Sequence, residues 1–286
     1  MSDLPLDQSL VTCLETVKRL DPDRYLTALL APETARAKLI ALYAFNTEIA
    51  RVRETVSEPM LGQIRLQWWR ETVDAIAKGE ARGHEAAVAL ASAFTADEFD
   101  ANGLTELIDA RERDLDDEPF EDMEDLLRYC AGTSSGLMEL AARAVSPDYA
   151  GAAKGVIKSA GIAYALTGLL RALPLHASQG RLYVPLSLLR QNDIDPHEIF
   201  AGKYTDGLRS VVQLYVDEAR HNLKSARQAR NSMAREVLPA LWPASLCDAY
   251  LSVIAKPDFN PFRDAVTLPP LRLQMRLMGR KLLGRF

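Results

Sequence analysis

An all-α fold is predicted by three observations. Apolar residues recur at helical spacing along most of the chain, no segment shows convincing β alternation, and apolar residues make up 48% of the sequence, enough to bury a large core. The 286 residues suit one large helical domain or two small ones. No internal repeat or low-complexity linker divides them, so a single domain over 1–286 is expected.

The elements follow in order. Leu10, Cys13, Leu14, Val17 and Leu20 share one face of a first helix. Pro32 and Glu33 can start a second, because proline suits the first helical turn and an acid favours the N-terminal dipole; it is expected to run to about Thr55. A third is read over 63–78, with Ile64, Trp68 and Ala75 on one stripe and Gly79 as its stop. Further helices are expected near 84–96, 103–115, 121–145, 149–172, 207–232 and 244–254. The stretch 181–185 is extended and ends at Pro185.

The helix near 149–172 carries Gly151, Gly155, Gly161 and Gly168, each costing about 1 kcal/mol relative to alanine. Gly161, Ala165, Gly168 and Ala172 share one face, which fits either close helix packing or a cavity lining. The small-residue run 131–136 poses the same choice.

Composition excludes several classes. A formal net charge of −5 does not suit nucleic-acid binding. Cys13, Cys130 and Cys247 form no CxxC pair, and three buried thiols in a reducing cytosol is the simplest reading. The first seven residues are acidic and lack an apolar core, unlike a signal or transit peptide. No uninterrupted apolar run approaches the roughly 18 residues of a membrane span. The tail is different. Past Asp264 there is no acid, while Arg272, Arg276, Arg280, Lys281 and Arg285 follow. Leu271, Met275, Met278 and Leu282 form an apolar stripe, so 269–286 reads as a basic amphipathic helix. Such a helix can lie on an anionic lipid surface, or dock on the domain with a solvated basic face.

Six segments together resemble the squalene/phytoene synthase family. They are 25–30 (YLTALL), 41–46 (ALYAFN), 65–70 (RLQWWR), 107–111 (LIDAR), 129–133 (YCAGT) and 180–185 (GRLYVP). Their order and spacing match the family from about residue 20 to 280. The resemblance implies the all-α isoprenoid synthase fold around a central cavity, and head-to-head joining of two prenyl diphosphates. In that family two Asp-rich motifs hold magnesium, which neutralises the leaving diphosphate through oxygen ligands. Paired aspartates at i and i+4 share a helix face and so aim at the same ions.

The positions matching those motifs are altered. The first falls at 50–54, where Ala50 replaces one carboxylate, Glu54 is at best a substitute for the other, and Arg51 and Arg53 add positive charge. The second falls at 172–176, where Ala172 and His176 replace both acids and Pro174 is expected to break or kink the helix. Gly168 replaces an asparagine one turn earlier. Tyr43, Arg171 and Tyr183 match cavity positions, which fits a preserved cavity or a preserved scaffold. The resemblance thus marks Tyr43, Ala50, Glu54, Gly168, Arg171, Ala172, His176 and Tyr183 as the candidate substrate-binding set. Glu54 and His176 are the candidates for catalysis, and no metal ligand is assigned. The acidic run 114–118 is read as a solvated turn in preference to a relocated metal site.

Segments 44–58 and 171–178 resemble one branch of the family, the mitochondrial respiratory complex I assembly factors of phytoene-synthase type. That branch shows the same losses and associates with the inner membrane. The implied function is a non-catalytic assembly factor for complex I, cytoplasmic or peripheral at the inner membrane face. Implied partners are a membrane surface through the basic tail, a complex I membrane subunit and an isoprenoid or lipid ligand, with no nucleic acid. No cofactor is expected. The alternatives are a prenyltransferase using magnesium through Glu54 and Glu48, and a lipid or quinone carrier.

Overall fold

A computed structural model describes residues 6–80, 83–146, 148, 149, 151 and 153–286. The N-terminal reading for a targeting signal rests on a stretch whose residues 1–5 lie outside that set. Among the described residues there is no β-strand, and the chain is helical almost throughout.

In chain order the helices are α1 (Leu6–Leu20), α2 (Pro22–Leu30), α3 (Glu33–Ala50), α4 (Val52–Thr55), α5 (Pro59–Ala77), α6 (Glu85–Ala93), α7 (Ala101–Glu112) and α8 (Met123–Cys130). There follow α9 (Gly136–Val145), α10 (Lys154–Ser178), α11 (Leu186–Gln191), α12 (Pro196–Phe200), α13 (Asp206–Gln228), α14 (Leu238–Leu241), α15 (Cys247–Ile254) and α16 (Pro270–Leu282). One contiguous buried cluster links them, from Cys13 in α1 to Phe286. The longest helices, α10 and α13, pack along each other and form the central pair.

Several sequence expectations need correction. The helix read from Glu33 to Thr55 is interrupted at Arg51, so α3 and α4 are separate. The buried stripe of α5 is Leu66, Trp69, Val73 and Ile76, whereas Ile64 is solvent-exposed. Trp69 decides this register, packing edge-on against Phe45 with ring centroids 5.2 Å apart. The sequence reading did not single out α2, although it has clear start signals: Pro22 in the first turn, and Asp21 accepting from the Arg24 N–H at 3.2 Å.

Gly151 precedes α10 in a turn with φ of 79°, a conformation that favours glycine, and is not helical. Pro174 does not break α10, which continues to Ser178. The proline removes one backbone hydrogen bond, but Leu170, Leu173 and Ala177 are buried on either side and hold both halves in the core. By length and composition, Lys154–Ser178 and Arg235–Ile254 could cross a membrane, which a search for uninterrupted apolar runs overlooks. Both lie mostly inside the fold, as core helices do.

The small-residue run has a specific role. Residues Ala131–Ser135 form a π-helical turn between α8 and α9, with Thr133, Ser134 and Ser135 buried. The Ser135 hydroxyl donates to the Lys158 carbonyl of α10 at 2.8 Å. At this crossing Gly161 meets Ser135 so closely that an added Cβ would lie 2.5 Å from the Ser135 Cα. Gly168, on the same helix, has nothing within 4 Å of that position. The glycine face therefore divides: Gly161 serves packing, and Gly168 borders open space.

This division is testable by thermal melts of two variants. Gly161→Ala should destabilise by about 1–3 kcal/mol, because backbone must shift. Gly168→Ala should stabilise by roughly 0.5–1 kcal/mol, because a helical glycine is replaced without a clash.

Candidate functional site

The eight residues marked in the sequence fall into several environments. Gly168, Arg171 and Ala172 line a groove of about 600 Å³ between α10 and residues 261–267, with Pro174, Leu175 and Phe262 among its walls. His176 and Tyr183 border a small apolar pocket of about 20 Å³ against Leu208, Val211 and Val212 of α13. Tyr43 is buried in α3 and Ala50 is the last residue of that helix. Glu54 lies at the surface and accepts from the Arg51 side chain at 3.2 Å. Glu48, the other carboxylate considered, faces His84 at 3.7 Å, and the interaction with His84 holds its carboxyl below the usual range.

Two buried carboxylates organise the interior around these residues. Asp23, in α2, is 3% exposed. It accepts from the Arg171 guanidinium at 2.8 Å and from the Tyr250 hydroxyl at 2.7 Å. Arg171 also stacks over the Tyr250 ring, 3.8 Å from its centroid. Nearby, Arg24 pairs with Asp21 at 2.6 Å and lies over the Tyr164 ring at 4.7 Å and the Tyr43 ring at 5.7 Å. Tyr43 is thus one wall of an arginine's aromatic enclosure.

Asp114 is the second centre. It is buried, which corrects the solvated-turn reading at this position, whereas Asp116, Asp117 and Glu118 are exposed. Its carboxylate accepts from Tyr129 at 2.7 Å, Tyr183 at 2.8 Å and Arg111 at 3.2 Å, and Arg181 approaches to 3.6 Å. Burial first, and then the Asp114 charge, push the Tyr183 phenol well above its ordinary range, so it remains protonated and donates. Tyr215 of α13 fixes the Tyr183 backbone, donating to its carbonyl at 2.8 Å.

His176 stacks on Tyr183 with ring centroids 4.4 Å apart, and its Nδ1 is buried without a hydrogen-bond partner. Burial, helped by the Arg181 charge, lowers its pKa to about 4, so the imidazole is neutral at pH 7.

The sequence reading missed Asp23, Arg24, Arg181 and Tyr250 as site residues. Arg111 and Tyr129 stood inside quoted motifs without an assigned role. The only local signal for Asp114 was its i+3 spacing from Arg111 at a helix end; the other partners come from distant segments.

The family model described as squalene/phytoene synthase matches residues 17–276. The chain belongs to the squalene/phytoene synthase family. A bovine (Bos taurus) relative named "NADH dehydrogenase (ubiquinone) complex I, assembly factor 6" is 30% identical, over 92% of this chain and 80% of its own length. A 15-cis-phytoene synthase from Synechococcus elongatus is 26% identical, over 93% of this chain and 90% of its own length. A dehydrosqualene synthase crystal structure shares the isoprenoid synthase fold with a TM-score of 0.84 at 16% identity, covering 97% of each chain.

The squalene/phytoene synthase resemblance implies magnesium, but the side chains here do not fit such a site. Asp114 is saturated by tyrosines and arginines. Asp116 pairs with Arg113 at 3.1 Å and Asp117 with Arg53 at 3.2 Å. Glu54 is taken by Arg51, and positions 50, 172 and 176 offer no carboxylate oxygen. Arg24, Arg111, Arg171 and Arg181 are likewise committed to internal carboxylates.

The neutral state of His176 has a pH consequence. Its folded pKa, about 4, lies below the ordinary 6.5, so its contribution to stability is complete above pH 6.5 and is lost as pH falls towards 4. Urea melts at stepped pH should show that the parent loses more stability across this window than His176→Gln. Equal losses would assign the histidine no part in acid sensitivity.

Proposed function

We propose that this protein is a non-catalytic assembly factor for respiratory complex I (NADH:ubiquinone oxidoreductase), working in the cytoplasm and peripherally at the inner membrane face. The observation that carries the non-catalytic reading is the internal neutralisation of the site. Joining prenyl diphosphates requires cations free to take up the charge of a departing diphosphate. Here Asp23 holds Arg171 and Asp114 faces Arg111 and Arg181, within 2.8, 3.2 and 3.6 Å respectively. Withdrawing an arginine from its buried carboxylate would strand a charge, a loss on the order of 3–5 kcal/mol. Ala50, Ala172 and His176 at the expected carboxylate positions support the same reading. The assembly role is supported by similarity to relatives named as complex I assembly factor 6, at 30% identity for the bovine protein. A complex I membrane subunit is the partner this role requires.

Deleting the gene should lower assembled complex I on native gels, together with membrane NADH:quinone activity. Plasmid copies of the parent, Glu54→Gln and His176→Gln should each restore both. The purified protein should release no diphosphate from farnesyl or geranylgeranyl diphosphate with magnesium. Normal complex I in the deletion strain would sink the assembly role. Turnover abolished by Glu54→Gln would establish a prenyltransferase instead.

Carriage of an isoprenoid, lipid or quinone is a second reading, favoured by the groove of about 600 Å³ beside Gly168 and Ala172. Native mass spectrometry should then find an apolar ligand co-purifying with the parent and depleted in Ala172→Trp, whose indole would fill the groove. A ligand-free parent ends this reading.

A further inference from the structure

The C-terminal helix α16 has two opposed apolar faces, and only one is used by the fold. At about 100° per residue, Leu271, Met275, Met278 and Leu282 fall within an arc of about 60°, with Leu273 and Leu277 on the far side. Leu273 and Leu277 are buried against the domain, while the four-residue stripe is exposed, from 54% at Met278 to 85% at Leu282. Leu283 adds a fifth exposed apolar side chain. The tail thus docks on the domain through one side, and the face left to solvent is the apolar stripe flanked by Arg272, Lys281 and Arg285.

The arginines explain this orientation. Arg276 and Arg280 turn towards Asp248 of α15, at 2.6 and 3.3 Å, where Arg227 of α13 joins at 2.8 Å. Arg276 also donates to the Ser245 carbonyl at 3.1 Å. Burial works against the Asp248 charge, but the three guanidiniums hold its carboxyl below the usual range. Three cations around one carboxylate leave a positive surplus at the foot of the helix. Arg272, Lys281 and Arg285 add exposed positive charge, and no acid follows Asp264 in the sequence. Lys281 donates to the Leu30 carbonyl at 2.9 Å, which ties α16 to α2.

We propose that this outward face of α16 is a docking surface for an anionic lipid bilayer, with Leu271, Met275, Met278 and Leu282 entering the acyl boundary and the flanking cations meeting phosphate headgroups. A rigidly anchored helix that turns a narrow apolar stripe outward, with cations beside it, matches the geometry of an interfacial helix. Charge complementarity selects the lipid: a partner with a neutral apolar groove would gain nothing from the surplus of arginine. The proposal deepens the membrane placement above and can fail separately from the assembly role. Lost vesicle binding bears on this surface, and complex I in the deletion strain bears on the other.

The test is flotation of the full chain with vesicles of phosphatidylcholine alone, and of two parts phosphatidylcholine to one part phosphatidylglycerol. The parent should float with the anionic vesicles, less so as salt is raised, and poorly with the neutral ones. Met278→Glu with Leu282→Glu, both at exposed positions, should keep the parent melting curve and reduce partitioning by at least about tenfold. Arg272→Glu should weaken anionic-vesicle binding and flatten its salt dependence. No flotation of the parent, or equal flotation of parent and double variant, overturns the proposal. A parent dimer dissociated by the double variant in light scattering would assign the stripe to a second copy of the chain, and overturn it too.

Discussion

Buried arginine is the constraint on which much of the interior depends. A guanidinium stays charged at any pH a cell reaches, so enclosing one requires a carboxylate or an external anion beside it. This chain supplies carboxylates of its own. Asp21 holds Arg24, Asp23 holds Arg171, and Asp114 is placed between Arg111 and Arg181. The Asp23 and Asp114 clusters cross between elements far apart in sequence, so they also fix how the helices meet. Asp23 ties α2 to α10 and α15; Asp114 ties the end of α7 to α8 and to the loop carrying Arg181 and Tyr183.

The same pairs define what the site can do. An arginine with a free face can receive a phosphate, whereas one paired with a buried aspartate has already met its anion. The tyrosines complete the arrangement: Tyr129, Tyr183 and Tyr250 donate to the aspartates, and the rings of Tyr183 and Tyr250 face Arg181 and Arg171. His176 stacks within this layer as a neutral ring. The result is a polar interior that is internally balanced.

At the C-terminal end the same principle acts outward. Asp248 gathers Arg227, Arg276 and Arg280, and so decides which side of α16 faces in. With Leu273 and Leu277 on the anchored side, the larger apolar stripe is turned to the surface. The orientation of one short helix, and with it the character of an exposed face, follows from two ion pairs to Asp248 and the burial of Leu273 and Leu277.

The sequence alone determined the helical class and the family, because these reside in local periodicity and in residue identity at fixed spacing. The stripes of α1 and α16 were legible for that reason. The register of α5 was not, since two apolar lines run along it and only packing against Phe45 chooses between them. Tertiary structure alone decided that Gly161 is a crossing point and Gly168 a groove wall, that α10 survives Pro174, and that Asp114 is buried while its neighbours are not. It also decided that the arginines are neutralised from within. Asp23 and Tyr250 are 227 positions apart, and Asp23 and Arg171 are 148 apart. Charge compensation at that range depends on through-space distance, which local spacing in a single sequence does not encode.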